Sequence, residues 1–202
     1  MSTKNTTQTF SKIIRNKRKK VFDHKGSLLW LTGLSGSGKS TIAYLIEEYL
    51  YESGYQVIVL DGDNLRQGLC NDLSFTLNDR AENIRRVAEV SKMLVSIGVI
   101  VIAAFVSPIK KERKKIRNLF SNEKFYEIYC AAPIETCIKR DPKGLYLKAK
   151  NGEIKNFTGV NSPYEPPIDP ELVLNTHDLS IKECLSKVVQ FLKEKYYIQS
   201  NK

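Results

Sequence analysis

Short, nearly continuous apolar runs recur along the chain at residues 28–31, 56–60, 99–105, 125–130 and 171–174. Runs so short and so uniformly apolar predict strands buried on both faces, as in parallel sheets. Between them the period changes. From Lys39 onward, Ile42, Leu45, Ile46, Tyr49 and Leu50 fall on one stripe of a helix that Gly54 closes. A second helix is expected over 79–97, with Ile84, Val87, Ala88, Leu94 and Val95 on one face, Asn78 as its N-cap and Gly98 as its stop. The run 110–117 is basic and helical in pattern, and Pro133 opens a short helix ending around Asp141 and Pro142. Ser180-Ile181-Lys182-Glu183 matches a capping box and starts a closing helix through about Tyr196.

Residues 143–170 show little periodicity and are punctuated by Gly144, Gly152, Gly159, Pro163, Pro166, Pro167 and Pro170. An irregular stretch of that length inside a compact domain is usually functional, often a lid. Strands alternating with helices predict an α/β fold, a three-layer sandwich in which a parallel sheet carries helices on both faces. Ligands of such sheets bind outside the carboxyl ends of the strands. The candidate chemistry falls at those ends.

Gly33-Leu34-Ser35-Gly36-Ser37-Gly38-Lys39-Ser40 fits G-x-x-x-x-G-K-[ST], between a predicted strand and a predicted helix, and Thr41 follows. That context marks a phosphate-binding loop of the P-loop NTPase type. Its glycines let backbone N–H groups converge on phosphate oxygens, and the helix N-terminus adds partial positive charge. Lys39 is expected at the β- and γ-phosphates and Ser40 on Mg²⁺, so the cofactors implied are ATP and Mg²⁺. Asp61 closes the next apolar run, where a carboxylate can reach the metal directly or through water. Asp63, two residues on, can accept a proton from, or orient, a hydroxyl that attacks the γ-phosphorus. Arg66, Arg80, Arg85 and Arg86 supply more guanidinium than ATP needs, which suggests a second anionic substrate. Phe75 and Phe157 are candidates to stack on a second base.

The chain has 202 residues and a formal net charge of +10. Its length suits one domain with a sizeable core. Eight basic residues precede Leu28 against Asp23 alone, leaving only +3 for the rest. The terminal cluster Lys12 to Lys20 is expected to be a solvated tail rather than a nucleic-acid contact, and the 110–117 run the wet face of a helix. This gives a basic segment at 1–27 and a kinase domain at 28–202, with a lid at about 143–160. No stretch is long and apolar enough to span a membrane, and the polar start Met1 to Thr9 carries no signal-peptide core, so a cytoplasmic protein is expected. Cys70, Cys130, Cys137 and Cys184 lack metal-binding spacing and are expected to be reduced, structural thiols.

The phosphate loop, the run 61–69 (DGDNLRQGL), 79–86 (DRAENIRR), 105–108 (FVSP), 140–146 (RDPKGLY), 157–160 (FTGV) and 163–167 (PYEPP) together resemble the adenylylsulfate kinase family. The resemblance covers roughly residues 28–189 and rests on separated motifs in the right order. It implies transfer of the ATP γ-phosphoryl group to the ribose 3′-hydroxyl of adenosine 5′-phosphosulfate (APS). It further implies that Asp63, Arg66, Phe75, Arg80, Asn83, Val106, Ser107, Lys143 and Phe157 contact APS, the two phenylalanines gripping its adenine, and that Arg140 lies near the ATP base. Ser107 joins Lys39 and Asp63 as a candidate catalytic residue. Family members are often described with a phosphoserine at this position; direct in-line transfer needs only a substrate-contacting serine there. A homodimer is implied, and the length leaves no room for a fused sulfurylase, so any such partner is expected to be a separate chain. Three positions depart from the family pattern: Leu147 replaces a usual lysine, Asn156 a glycine and Asn161 an aspartate. Other small-molecule kinases, for gluconate, shikimate or a nucleoside monophosphate, would have no evident need for both phenylalanines and the Asp63–Arg66 pair. A nucleotide-regulated nucleic-acid module would use the basic tail, but no Asn-Lys-x-Asp guanine-reading motif is present.

Overall fold

The computed structural model describes residues 24–195. Five parallel strands, β1 (Leu28–Thr32), β2 (Val57–Asp61), β3 (Ile100–Ala104), β4 (Phe125–Ala131) and β5 (Leu172–Asn175), form one sheet in the order β2-β3-β1-β4-β5. The order places β1 at the centre, which is why its five residues are all buried and all but one apolar. Period-two alternation sends Leu29 and Leu31 to one face and Leu28 and Trp30 to the other. On the first face they meet Ile42, Ile46 and Leu50 of α1 (Lys39–Glu52) and Val188 and Leu192 of α7 (Ile181–Glu194). On the second they meet Ile84 and Val87 of α3 (Leu77–Ser96) and Ile116 of α4 (Lys110–Arg117). Trp30 is fully buried and stacks on Phe105 with ring centroids 5.5 Å apart. The three-layer α/β sandwich expected from the alternation is the fold.

Several boundaries differ from the pattern-based expectation. Helix α3 starts at Leu77 and is capped by Thr76, whose Oγ1 accepts from the Asp79 N–H at 3.1 Å, so Asn78 lies inside the first turn. Thr76 caps because its extended backbone aims the hydroxyl back at the third helical residue. Asp61, at the end of β2, also caps a one-turn helix, α2 (Gly62–Leu65), through its Oδ1 and the Asp63 N–H. The short helix after Pro133 is α5 (Ile134–Arg140). The irregular stretch contains a further helix, α6 (Leu145–Lys150), too short to show a period beyond buried Tyr146 and Ala149. The capping box at Ser180 forms with both hydrogen bonds, and α7 ends at Glu194.

The 110–117 run is not wholly a wet face. Arg113 is buried against Glu127, whereas Lys110, Lys111, Lys114 and Lys115 are exposed. All four cysteines are buried and free, and no cluster of metal-ligating side chains occurs among the described residues. No helix among them is long and apolar enough to cross a membrane. The basic cluster Lys12 to Lys20, the polar start Met1 to Thr9 and Tyr196 lie outside the described residues.

Candidate active site

The carboxyl ends of β1, β2 and β3 open into one cleft of about 660 Å³. On its floor the chain turns from β1 into α1 through residues 33–38. Gly33 has φ +153°, and a Cβ there would sit 2.6 Å from both the Cys130 carbonyl oxygen and Ser37 Oγ, so only glycine lets the loop pack against β4. Gly38, at φ +91°, occupies the N-cap position of α1. Lys39, nearly buried, donates from Nζ to the Leu34 carbonyl at 2.7 Å and lies within 3.4 Å of Ser37 Oγ. Burial lowers its pKa, partly offset by Cys130, Cys137, Asp61 and Asp63.

Ser40 Oγ donates to Asp61 Oδ2 at 2.7 Å, while Asp61 Oδ1 holds the Asp63 N–H at 2.9 Å. Both carboxylate oxygens of Asp61 are therefore oriented, one toward the first turn of α1. A hydroxyl and a carboxylate so close form a hard oxygen donor pair of the kind Mg²⁺ takes alongside phosphate oxygens. Asp63 is exposed on the cleft wall and ion-paired to Lys143, which reaches it from the segment before α6. That contact raises the Lys143 pKa.

Opposite the phosphate loop, the Arg66 guanidinium carbon lies 4.2 Å and that of Arg80 5.3 Å from the Phe75 ring centroid. Arg66 donates to the Leu73 and Ser74 carbonyls, and Arg80 to those of Phe75 and Asn156. Desolvation, reinforced by Arg66, pushes the Arg80 pKa down to about 10, as expected for two cations sharing one wall. Asn83 is buried at the cleft, and its Nδ2 has no hydrogen-bond partner among the described residues. Val106 and Ser107 close this wall at the end of β3. Ser107 sits at φ +37°; its Oγ accepts from Trp30 Nε1 and donates to Thr32 Oγ1, each at 3.0 Å.

A second cavity of about 500 Å³ adjoins the cleft and shares Ser35, Asp63, Phe75, Arg80, Val106 and Leu145 with it. Phe157 lines this second cavity, buried edge-on against Tyr146 at 4.9 Å between centroids. Phe75 and Phe157 thus border one space, although 82 positions separate them in the chain. Asn156, at φ +60°, occupies the left-handed region that glycine enters freely, and Asn161 Oδ1 accepts from the Phe157 N–H at 2.5 Å. Both positions that depart from the family pattern here therefore serve the loop that carries Phe157.

Of the residues singled out from sequence, Gly36, Gly38, Lys39, Ser40, Thr41, Asp61, Asp63, Arg66, Phe75, Arg80, Asn83, Val106, Ser107, Arg140 and Lys143 line the main cleft, as does Ser35. Gly33, Leu34 and Ser37 support the loop from behind, Leu34 beside Gly159. Arg85 and Arg86 do not face the cleft: both pair with Glu82, and Arg86 also with Asp72. Other participants went unnoticed in the sequence. Tyr146 Oη donates to the Ser35 carbonyl at 2.9 Å, tying α6 to the phosphate loop. Thr176 Oγ1 donates to the Ser37 carbonyl and its own carbonyl accepts from Arg140. Its place just past β5 was the available signal.

The family model for adenylylsulphate kinase matches residues 25–175. The chain belongs to the adenylylsulphate kinase family. It is 50% identical over 190 residues to the adenylyl-sulfate kinase of Marinobacter nauticus, covering 94% of this chain and 96% of that one. The Mycobacterium tuberculosis APS kinase, solved in complex with AMPPNP and APS, superposes with a TM-score of 0.81 at 45% identity, covering 84% of this chain and 99% of that one. A hexameric APS kinase from Thiobacillus denitrificans aligns with a TM-score of 0.67 at 26% identity, over 91% of this chain and 32% of that one. This adenylylsulphate kinase family member is accordingly an ATP-dependent phosphotransferase with adenylylsulfate kinase function in sulfate assimilation.

Proposed function

We propose that the cleft transfers the γ-phosphoryl group of ATP to the 3′-hydroxyl of APS in one in-line step, giving 3′-phosphoadenosine 5′-phosphosulfate and ADP. One observation carries the assignment of halves: Asp63 borders both the phosphate-loop cleft and the cavity between Phe75 and Phe157. The loop backbone and Lys39 hold the triphosphate, with Arg140 and Thr176 beside the base. Ser40 and Asp61 would hold Mg²⁺, which would supply charge neutralisation for the transfer. Arg66, Arg80 and Asn83 bind the phosphosulfate, and the phenylalanines the acceptor adenine.

The hydroxyl oxygen bonds to the γ-phosphorus, the bond to the β–γ bridging oxygen breaks, and the hydroxyl proton passes to Asp63. Lys143, already on Asp63, swings to the transferring phosphoryl and frees the carboxylate to act as base. Ser107 contacts substrate and needs no phosphorylation, a reading supported by the two buried partners that already engage its hydroxyl. Cytoplasmic residence and a homodimer complete the proposal on family resemblance.

A coupled ADP-release assay with APS, AMP, gluconate and shikimate as acceptors tests the reaction. Turnover with APS alone is expected; turnover only with the other three would sink it. Rapid-quench labelling that traps a kinetically competent phosphoserine, absent from Ser107→Ala, would replace the single step with a covalent one.

A further inference from the structure

Arg113 lies in the basic run of α4, yet its side chain is buried and all three of its nitrogen positions are engaged. Nε donates to Glu127 Oε1 at 2.7 Å, Nη1 to the Ser107 carbonyl at 2.6 Å and Nη2 to the Glu165 carbonyl at 2.7 Å. These partners belong to β4, to the turn after β3 and to the proline-rich segment around Tyr164. Glu165 closes the arrangement from its own side: its N–H donates to the Pro108 carbonyl, and its carboxylate accepts from the Lys110 N–H at the start of α4. Tyr164 shares a hydrogen bond with Thr32 Oγ1, which in turn donates to the Val106 carbonyl.

Ser107, at φ +37°, and Asn156, at φ +60°, are non-glycine residues in the left-handed region, and Asn156 carries a side chain that tolerates that region far better. A serine persists there only where its surroundings over-determine the backbone. Its hydroxyl is held from the sheet side by Trp30 and Thr32, and its carbonyl from the helix side by Arg113. A planar guanidinium fixed by a buried carboxylate can hold two carbonyls at set angles; an ammonium cannot.

We infer that Arg113 is a positioning residue for the acceptor half of the cleft: anchored on Glu127, it fixes the left-handed turn that brings Val106 and Ser107 to the APS side. The inference rests on the functional reading above and extends it to a residue behind the wall. Arg113 does not line the cleft, so its effect passes through the turn.

The test compares Arg113→Lys with Arg117→Met in the full chain, well below the melting temperature of each. Arg117 belongs to the same ion-pair network, through Glu127 and Glu171, but makes no hydrogen bond to the Ser107 turn. Arg113→Lys is expected to raise KM for APS by about tenfold or more, the scale of a lost charged hydrogen bond. Its affinity for a non-hydrolysable ATP analogue is expected to stay within about twofold of wild type, as for sites that do not couple. Arg117→Met is expected to lower melting temperature without an APS-selective change. If Arg113→Lys does not fold, Glu127→Gln, which removes the charge that orients the guanidinium, reads the same selectivity. APS and ATP parameters that fall together, an unchanged KM for APS, or the same APS defect in Arg117→Met would each overturn the inference. A wild-type chain that phosphorylates no APS would overturn the functional reading and this inference with it. Active wild type with an unaffected Arg113→Lys overturns this inference alone.

Discussion

Residues 33–41 and the residues facing them across the cleft are fixed in place by different means. The phosphate loop is one continuous segment between a fully buried strand and a helix, and its shape follows from glycines at set positions and the sheet beneath it. The wall proposed to hold the acceptor is assembled from four segments, around Asp63, Phe75 to Asn83, Val106 to Ser107, and Lys143 to Phe157. Those segments meet through side-chain hydrogen bonds over long sequence separations, such as Arg80 to the Asn156 carbonyl and Lys143 to Asp63. The loop takes its shape first from its own residues, with Tyr146 and Thr176 as distant supports, whereas the assembled wall depends on such supports throughout. The donor half should therefore fail all at once when its own residues change, and the acceptor half by degrees.

The largest effect is expected from Lys39→Ala, which removes the buried ammonium from the phosphate site. Loss of turnover by about a thousandfold or more, with weakened ATP binding, follows from withdrawing a preorganised charge in a water-poor site. Steady-state kinetics with binding of an ATP analogue checks both, and near-normal ATP affinity would break the assignment of this half. Next comes Asp63→Asn, at the border of the two halves. Turnover is expected to fall by about 10²- to 10⁴-fold, the usual contribution of a positioned base, with ATP binding intact. A variant that turns over near the wild-type rate would remove Asp63 from its role. Phe75→Ala acts only on the acceptor side. Base stacking is worth about 1–3 kcal/mol, so KM for APS should rise by about fivefold to a hundredfold while KM for ATP holds. Equal changes in both constants would mean that the wall and the loop are not separable.

The same contrast decides what could be read from the sequence. Local signals were legible: the loop pattern, the strand–helix alternation, the capping box at Ser180 and the carboxylates at the end of β2 all depend on neighbours a few residues apart. Elements that depend on distant partners were not. The six residues of α6 are too few to display a helical stripe, and that helix is held by Tyr146 reaching Ser35, 111 positions away. Arg113 looked like one more surface charge because its partners Glu127, Ser107 and Glu165 lie in other elements. Arg85 and Arg86 gave the opposite error in degree. Adjacent to Arg80 and Asn83 in the chain, they turn with the helix away from the cleft, to Glu82 and Asp72.

That helix supplies the smallest prediction, since its opposite faces should be functionally independent. Hydrogen bonds from Arg85 and Arg86 hold the Glu82 carboxyl down to about 2, below its ordinary value of about 4.5. A carboxylate whose pKa is depressed on folding adds stability above its unfolded pKa and loses it as pH falls toward the folded value. Glu82 is about one-third exposed, so solvent and salt screen the pairs, and Glu82→Gln should cost no more than about 1 kcal/mol at neutral pH. The difference in denaturation midpoint between wild type and Glu82→Gln should shrink from pH 4.5 down to about 2, and KM for APS should not change at any pH where both are folded. A raised KM would mean that the ion-pair face of α3 steers the substrate face one helical turn away. Arg80 and Asn83 would then depend on Glu82 for their placement, and the acceptor wall would extend around the helix rather than end at its cleft side.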